Sequence, residues 1–223
     1  MPTDYYPTIL IPAYQPNENL VKLIKALRQA RAKQRIIVVD DGSDADKQII
    51  FSKIQHLNVE LLQHTKNKGK GQALKTGFQY WLATSHPRDL GLVTADADGQ
   101  HLPQDILHLC DAFMQKPSDL YLGKRTFNKV PIPWRSRIGN KLTKYILRLF
   151  SKTDLEDTQT GLRAIPRKLL PALLSSNATG YEFELEMILI AEENQVLIQE
   201  IPIKTVYIDH NNSSHFNPLI DSI

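Results

Sequence analysis

Short apolar runs alternate with longer amphipathic stretches along the first half of the chain. The short runs, rich in β-branched residues and ending in turn-forming or charged residues, predict strands at Thr8–Ile11, Arg35–Asp40, Val59–Gln63, Leu90–Ala95 and Asp119–Gly123. Between them, Glu18–Ala32 sets Leu20, Leu23, Ile24 and Leu27 at helical spacing, and Gly71–Ala83 and Gln104–Met114 repeat that period. Strands alternating with helices predict a doubly wound, mainly parallel α/β sheet flanked by helices. After Arg125 the alternation breaks, and Pro131, Pro133 and Trp134 lead into a basic amphipathic segment from Arg135 to Lys152. Mixed patterning then resumes, with Asp157–Ile165 as loop and strand, Tyr181–Asn194 as helix and Val196–Tyr207 as strand. No repeat, low-complexity tract or linker divides the chain, so a single domain over 1–223 is expected, with halves at 1–125 and 126–223.

Composition narrows the class. A chain of 223 residues, 42% hydrophobic and 23% charged, can bury one sizeable core. The net charge of +3, with cations and anions interspersed, gives no footprint for nucleic acid. Cys110 is the single cysteine, which points to a reducing compartment and excludes a cysteine metal site. Met1–Pro7 lacks the pattern of a secretory signal, and no run approaches the roughly twenty apolar residues of a membrane span. The expectation is a cytoplasmic protein whose membrane contact, if it has one, is peripheral, unless a longer parent chain continues past Ile223.

In an open parallel sheet, ligands bind beyond the carboxyl ends of the strands. There this sequence carries Pro12-Ala13-Tyr14, Asp40-Asp41-Gly42-Ser43, Asp96-Ala97-Asp98-Gly99-Gln100 and Lys124-Arg125. Asp96 and Asp98 repel one another unless a cation stands between them, and hard Mg²⁺ or Mn²⁺ shared with substrate phosphates resolves the repulsion. Gln100 offers a further oxygen. The competing reading makes both aspartates caps of the helix near Pro103. Asp40 and Asp41 can accept hydrogen bonds from a base or ribose, or belong to a helix cap with Ser43 or Asp44. Asn67-Lys68-Gly69-Lys70-Gly71 opens a helix with glycines for close approach and lysines, Lys70 among them, for an anion; it also reads as a solvated turn.

Taken together and in order, these segments resemble the family 2 glycosyltransferases of the GT-A, Rossmann-like fold, in particular the dolichyl-phosphate mannose synthase-like, polyprenyl-phosphate branch. Ile11-Pro12-Ala13-Tyr14, Val38–Ser43, Asn67–Gly71, Asp96–His101, Gly123-Lys124-Arg125 and Asp157–Arg163 carry the resemblance across nearly the whole chain. It implies that Pro12, Tyr14 and one or both of Asp40 and Asp41 hold the donor nucleoside, and that Asp96, Asp98 and Gln100 bind the metal. It also implies that Arg125 and Arg137 engage an acceptor phosphate. The halves then become a nucleotide-sugar-binding half, 1–125, and an acceptor-binding half, 126–223. A phosphate acceptor is already an anion and needs no strong base, whereas a saccharide hydroxyl needs one, for which Asp157 is the candidate.

The chain departs from the pattern at Gln15-Pro16, where relatives often carry Asn-Glu; Glu18 follows nearby. Asn212-Ser213-Ser214-His215-Phe216 stands where this branch often has Ser-Lys, making His215 a candidate for the metal or diphosphate. Ile138, Leu142, Tyr145, Ile146, Leu149 and Phe150 form one stripe with Lys141, Lys144, Arg148 and Lys152 outside it, a helix suited either to a core or to the inner membrane surface. The expected activity is inverting transfer of a hexose from a UDP-glucose or GDP-mannose type donor to polyprenyl phosphate, at the membrane or through a separate membrane-protein partner. Transfer to a saccharide hydroxyl and a nucleotide-sugar-binding module without transfer are the alternatives.

Overall fold

The computed structural model describes residues 6–125 and 155–204. Arg137, His215 and the helix expected over Ile138–Lys152 lie outside them. Among the described residues thirteen strands and α-helices follow one another: β1 (Thr8–Ala13), α1 (Glu18–Ala30), β2 (Ile36–Asp40), α2 (Gln48–Gln55), β3 (Glu60–Gln63), α3 (Lys70–Thr84), β4 (Gly91–Thr94), α4 (Pro103–Gln115), β5 (Leu120–Arg125), β6 (Arg163–Pro166), α5 (Leu170–Leu174), α6 (Glu182–Glu193) and β7 (Ile198–Ile203). Among the described residues the strands form one seven-stranded sheet in the order β3-β2-β1-β4-β6-β5-β7. β1, β2, β3 and β4 pair in parallel, as do β5 and β7, while β6 runs antiparallel to both β4 and β5.

Alternation along each strand sends neighbours to opposite faces. Ile9, Ile11, Ile36 and Val38 pack with the apolar stripes of α1, α2 and α4, and Leu10, Ile37 and Val39 with those of α3, α5 and α6. Both faces are covered, which is why β1 and β2 read as unbroken apolar runs. The α/β class and the mainly parallel sheet agree with the sequence reading. Two features were not visible there. Helix α2 is short and buries only Ile50, Phe51 and Ile54, too few positions to register as a period. Strand β6 returns antiparallel and wedges between β4 and β5, bringing residues 157–163 to the end of β4. Lys124 and Arg125 fall within β5 rather than after it.

The strand order reverses beside β1, with β2 on one side and β4 on the other, so a crevice opens beyond the carboxyl ends of these strands. The sheet is pinned beneath it by Trp81 of α3, whose fully buried indole donates from Nε1 to Thr8 Oγ1 at 2.8 Å. Thr8→Val nearly keeps the side chain's shape but loses that bond, and should cost about 1–3 kcal/mol. Urea unfolding should show a lower midpoint with an unchanged slope, and a wild-type midpoint would count against the bond's contribution.

Candidate functional site

A cavity of about 370 Å³ lies in that crevice, walled by Pro12 and Ala13 at the end of β1 and Tyr14–Asn17 after it, Asp41 after β2, Asn67, Gly69 and Lys70 at the start of α3, Asp96–Asp98 after β4, and Gly180-Tyr181 before α6. The loop after β1 turns through Gln15, which takes a positive φ of 51° while its amide donates to Ser43 Oγ at 2.9 Å. Tyr14 is thereby presented at the mouth, 37% exposed.

Asp40 and Asp41 are adjacent but do different work. The Asp40 carboxylate accepts from the Ser43 amide at 2.9 Å and from the Gln48 and Gln63 side chains at 3.1 and 3.3 Å, away from the cavity wall. Asp41 reaches the wall, where it accepts from the amides of Lys68 and Gly69 at 3.0 and 2.9 Å and meets His64 Nδ1 at 2.6 Å. It therefore shapes the 67–69 loop. Gly42 has a positive φ of 74°, and a Cβ there would lie 2.1 Å from the Lys66 carbonyl carbon, so the two loops touch through its missing side chain.

The glycines that open α3 face protein. The amides of Gly71 and Gln72 donate to the carbonyls of Gly180 and Thr179 at 3.2 and 2.9 Å, and a Cβ on Gly69 would meet Thr179 O at 2.5 Å. The close backbone approach expected for an anion is thus made to the 179–180 loop. The cationic charge at this point is the Lys70 side chain, whose Nζ lies 2.7 Å from Asp96 Oδ1 and 3.0 Å from Glu184 Oε1.

Asp96 and Asp98 do not cap α4. Its N-cap is Leu102, with no side-chain capping bond and Pro103 starting the helix. Burial raises the Asp96 carboxyl, but the Lys70 ammonium, with a smaller contribution from Arg125, outweighs it and holds the group down at about 2. Burial and then the charge of Asp96 push Asp98 up to about 6. His101 is buried, and its Nδ1 accepts from the Asp96 amide at 3.0 Å, which leaves the proton on Nε2, 3.7 Å from Asp96 Oδ2. Burial lowers its pKa, so the ring is neutral. Asn19 Nδ2 donates to the Asp98 carbonyl at 2.9 Å, tying α1 to this loop. Gln100 is not among the residues that wall the cavity; its backbone amide donates to Asp98 Oδ1 at 2.9 Å.

Asp157, fully buried, is gripped by Arg125: Nε to Oδ2 at 2.6 Å, Nη2 to Oδ1 at 2.9 Å, and the Arg125 amide to Oδ2 at 3.1 Å. Burial would raise its pKa, but the guanidinium bonds outweigh that and hold it below the usual carboxylate range. Glu200 Oε1 accepts from the amides of Glu156 and Asp157, each at 2.9 Å, fixing the loop from β7.

Residues 8–174 match the model of the glycosyl transferase family 2 domain. The chain belongs to that family. It is 30% identical to a UDP-N-acetylglucosamine–dolichyl-phosphate N-acetylglucosaminyltransferase of Methanococcus voltae over 95% of this chain and 90% of that protein. It is 28% identical to a polyprenol monophosphomannose synthase of Mycolicibacterium smegmatis over 87% of this chain and 75% of that protein. The fold matches glucosyl-3-phosphoglycerate synthase of Mycobacterium tuberculosis, crystallised with Mn²⁺, UDP and glucosyl-3-phosphoglycerate, with a TM-score of 0.70 at 16% identity over 94% of this chain and 75% of that one.

In this family 2 chain the cavity brings together Pro12, Tyr14, Asp41, Lys70, Asp96 and Asp98, while Asp40, Gln100, Arg125 and Asp157 stand outside its walls. Sequence reasoning missed Glu184, Asn19 and the role of His101. Only His101 had a signal, its position within Asp96–His101. The donors suit a hard cation: Asp98 is the carboxylate left short of positive charge. Among the described residues no group of three or more His, Cys, Asp or Glu side chains converges to complete a metal site, so substrate oxygens and water would have to fill the shell.

The Arg125–Asp157 pair makes a pH-dependent prediction. Because the folded carboxyl titrates below its unfolded value near ~3.9, its stabilisation is present above that value and is lost as pH falls through the folded pKa. Asp157→Asn should therefore destabilise at neutral pH, by up to about 3–5 kcal/mol for a buried pair. The gap to wild type should shrink below about pH 4 in urea titrations; a gap independent of pH would show that the charge contributes nothing.

Proposed function

We propose that this glycosyltransferase moves a sugar, with inversion, from a nucleotide-diphosphate sugar to the phosphate of a polyprenyl phosphate. The observation that carries the reading is the locked Asp157 carboxylate. Bound at both oxygens by Arg125 and held in its charged form, it is a poor base for a hydroxyl acceptor, and a phosphate acceptor needs no base. The names of the two relatives, each with a lipid phosphate, support the same acceptor class.

In this mechanism Pro12, Tyr14 and Asp41 face the nucleoside and Lys70 faces the diphosphate. Arg125, oriented by Asp157, and Arg137 hold the acceptor phosphate. An acceptor phosphate oxygen attacks the anomeric carbon as the bond to the diphosphate oxygen breaks, and the nucleoside diphosphate leaves with the electron pair. A Mg²⁺ or Mn²⁺ ion bound by Asp98 with Asp96 would neutralise the charge growing on that leaving group, with Gln100 beside it. Orientation and charge neutralisation account for the rate. We propose that the enzyme meets its lipid at the membrane surface through the segment Arg135–Lys152, whose sequence is basic and amphipathic; among the described residues no helix is long and apolar enough to cross a membrane.

The test supplies Mn²⁺, polyprenyl phosphate and, in turn, radiolabelled UDP-N-acetylglucosamine, UDP-glucose and GDP-mannose. One donor should label a chloroform-extractable product, and Asp98→Ala should lower that rate by about 10²–10³-fold. Label passing only to water-soluble saccharides would overturn the lipid-phosphate acceptor.

A further inference from the structure

Lys70 brings a cation of the chain's own to the carboxylate assigned above to a divalent metal. Its Nζ is 2.7 Å from Asp96 Oδ1 and 3.0 Å from Glu184 Oε1, with 15% of the side chain exposed and the Tyr181 ring centred 5.6 Å away. Asp96 has little freedom to turn away from it. A Cβ on Gly161 would meet Asp96 Oδ2 at 2.5 Å, and His101 Nε2 stands 3.7 Å from the same oxygen. Exchange of partners at Asp96 therefore falls to the lysine, whose four-carbon stem can move. Glu184, 10% exposed and behind the cavity wall, gives the ammonium a carboxylate to keep when it leaves Asp96. A diphosphate in the cavity supplies a further anion beside it.

We propose that Lys70 competes with the divalent cation for Asp96, so that metal binds well only when a nucleoside diphosphate draws the ammonium away. Two cations at one half-buried carboxylate repel strongly, because little water screens them. The diphosphate removes that repulsion and adds its own oxygens to the metal. Metal and nucleotide then raise one another's affinity by the same factor. The inference rests on the reading of Asp96 and Asp98 as the metal pair.

The experiment follows free Mn²⁺ by its paramagnetic resonance signal during titration of the full chain, alone and with saturating UDP or GDP. Wild type should bind Mn²⁺ about tenfold more tightly with nucleotide than without. Lys70→Gln should bind Mn²⁺ alone about tenfold more tightly than wild type, and the further gain from nucleotide should be smaller than in wild type, since only the ligation by diphosphate oxygens remains. Glu184→Gln, which leaves the ammonium with Asp96 as its carboxylate partner, should weaken binding of Mn²⁺ alone by about threefold. Structural damage weakens metal binding, so it cannot imitate the gain in Lys70→Gln. If that variant folds and binds Mn²⁺ alone no more tightly than wild type, the competition is wrong. If it does not fold, Glu184→Gln binding Mn²⁺ alone more tightly than wild type overturns the proposal. Unchanged Mn²⁺ binding by Asp98→Asn with nucleotide present would instead overturn the metal reading.

Discussion

A carboxylate removed from water must be given partners, and the rim of this sheet gathers Asp40, Asp41, Asp96, Asp98, Asp157 and Glu184 in buried or half-buried positions. The chain answers that demand with donors of several kinds. Amides and carboxamides serve Asp40, amides and His64 serve Asp41, the Arg125 guanidinium grips Asp157, and the Lys70 ammonium is shared by Asp96 and Glu184. Asp98 is compensated least. It has the Gln100 amide but lies beside the charge of Asp96, and its carboxyl is pushed up to about 6. The unmet need for positive charge is thus concentrated at one residue on the cavity wall, which is a physical reason to expect a cation there.

The same compensation organises the backbone. Arg163, fully buried, donates to the carbonyls of Thr158, Thr160 and Glu184, so one guanidinium ties the 158–160 loop to the start of α6. Thr94 Oγ1 donates to the Gly161 carbonyl at 2.8 Å, holding that loop against the end of β4. Lys75, also buried, donates to the carbonyls of Ser176 and Ala178 and keeps the approach to Gly180 and Tyr181 in register. The antiparallel β6 is what makes these contacts geometrically available, since it turns the 157–161 segment towards Asp96.

What the sequence made legible follows from which signals are local. The apolar runs that stop at Asp40 and just before Asp96 state their own strand ends, whereas the run read as stopping at Gly123 continues as strand through Arg125; the doubly wound arrangement follows from alternation. Which of two adjacent aspartates faces the cavity is not local, because side-chain direction at a strand end depends on where the chain turns next; Asp41 reaches the wall and Asp40 does not. Glu184 sits 114 residues from Lys70, inside a helix whose first turn is acidic anyway, so nothing in its neighbourhood marks it as a partner. Asn19 likewise reads as one more polar residue in the first turn of α1 until the Asp98 carbonyl is placed beside it. Gly69 and Gly71 were legible as positions of close approach, but the approaching group proved to be the 179–180 backbone.

That last difference alters how the site handles an anion. Had the amides of Gly71 and Gln72 pointed into the cavity, the N-terminus of α3 would form a fixed cradle, able to bind a diphosphate without reference to anything else. Those amides are spent on Gly180 and Thr179, and the cation left beside the cavity is the Lys70 ammonium, a point charge on a flexible stem. A fixed cradle binds one partner at a time of its own accord. A cation already held by two carboxylates responds to every charge that enters, so in the proposed mechanism donor and metal would not bind independently, because both must deal with the same lysine. For a reaction whose leaving group is a diphosphate, that linkage would keep the metal tied to the group whose charge it must neutralise.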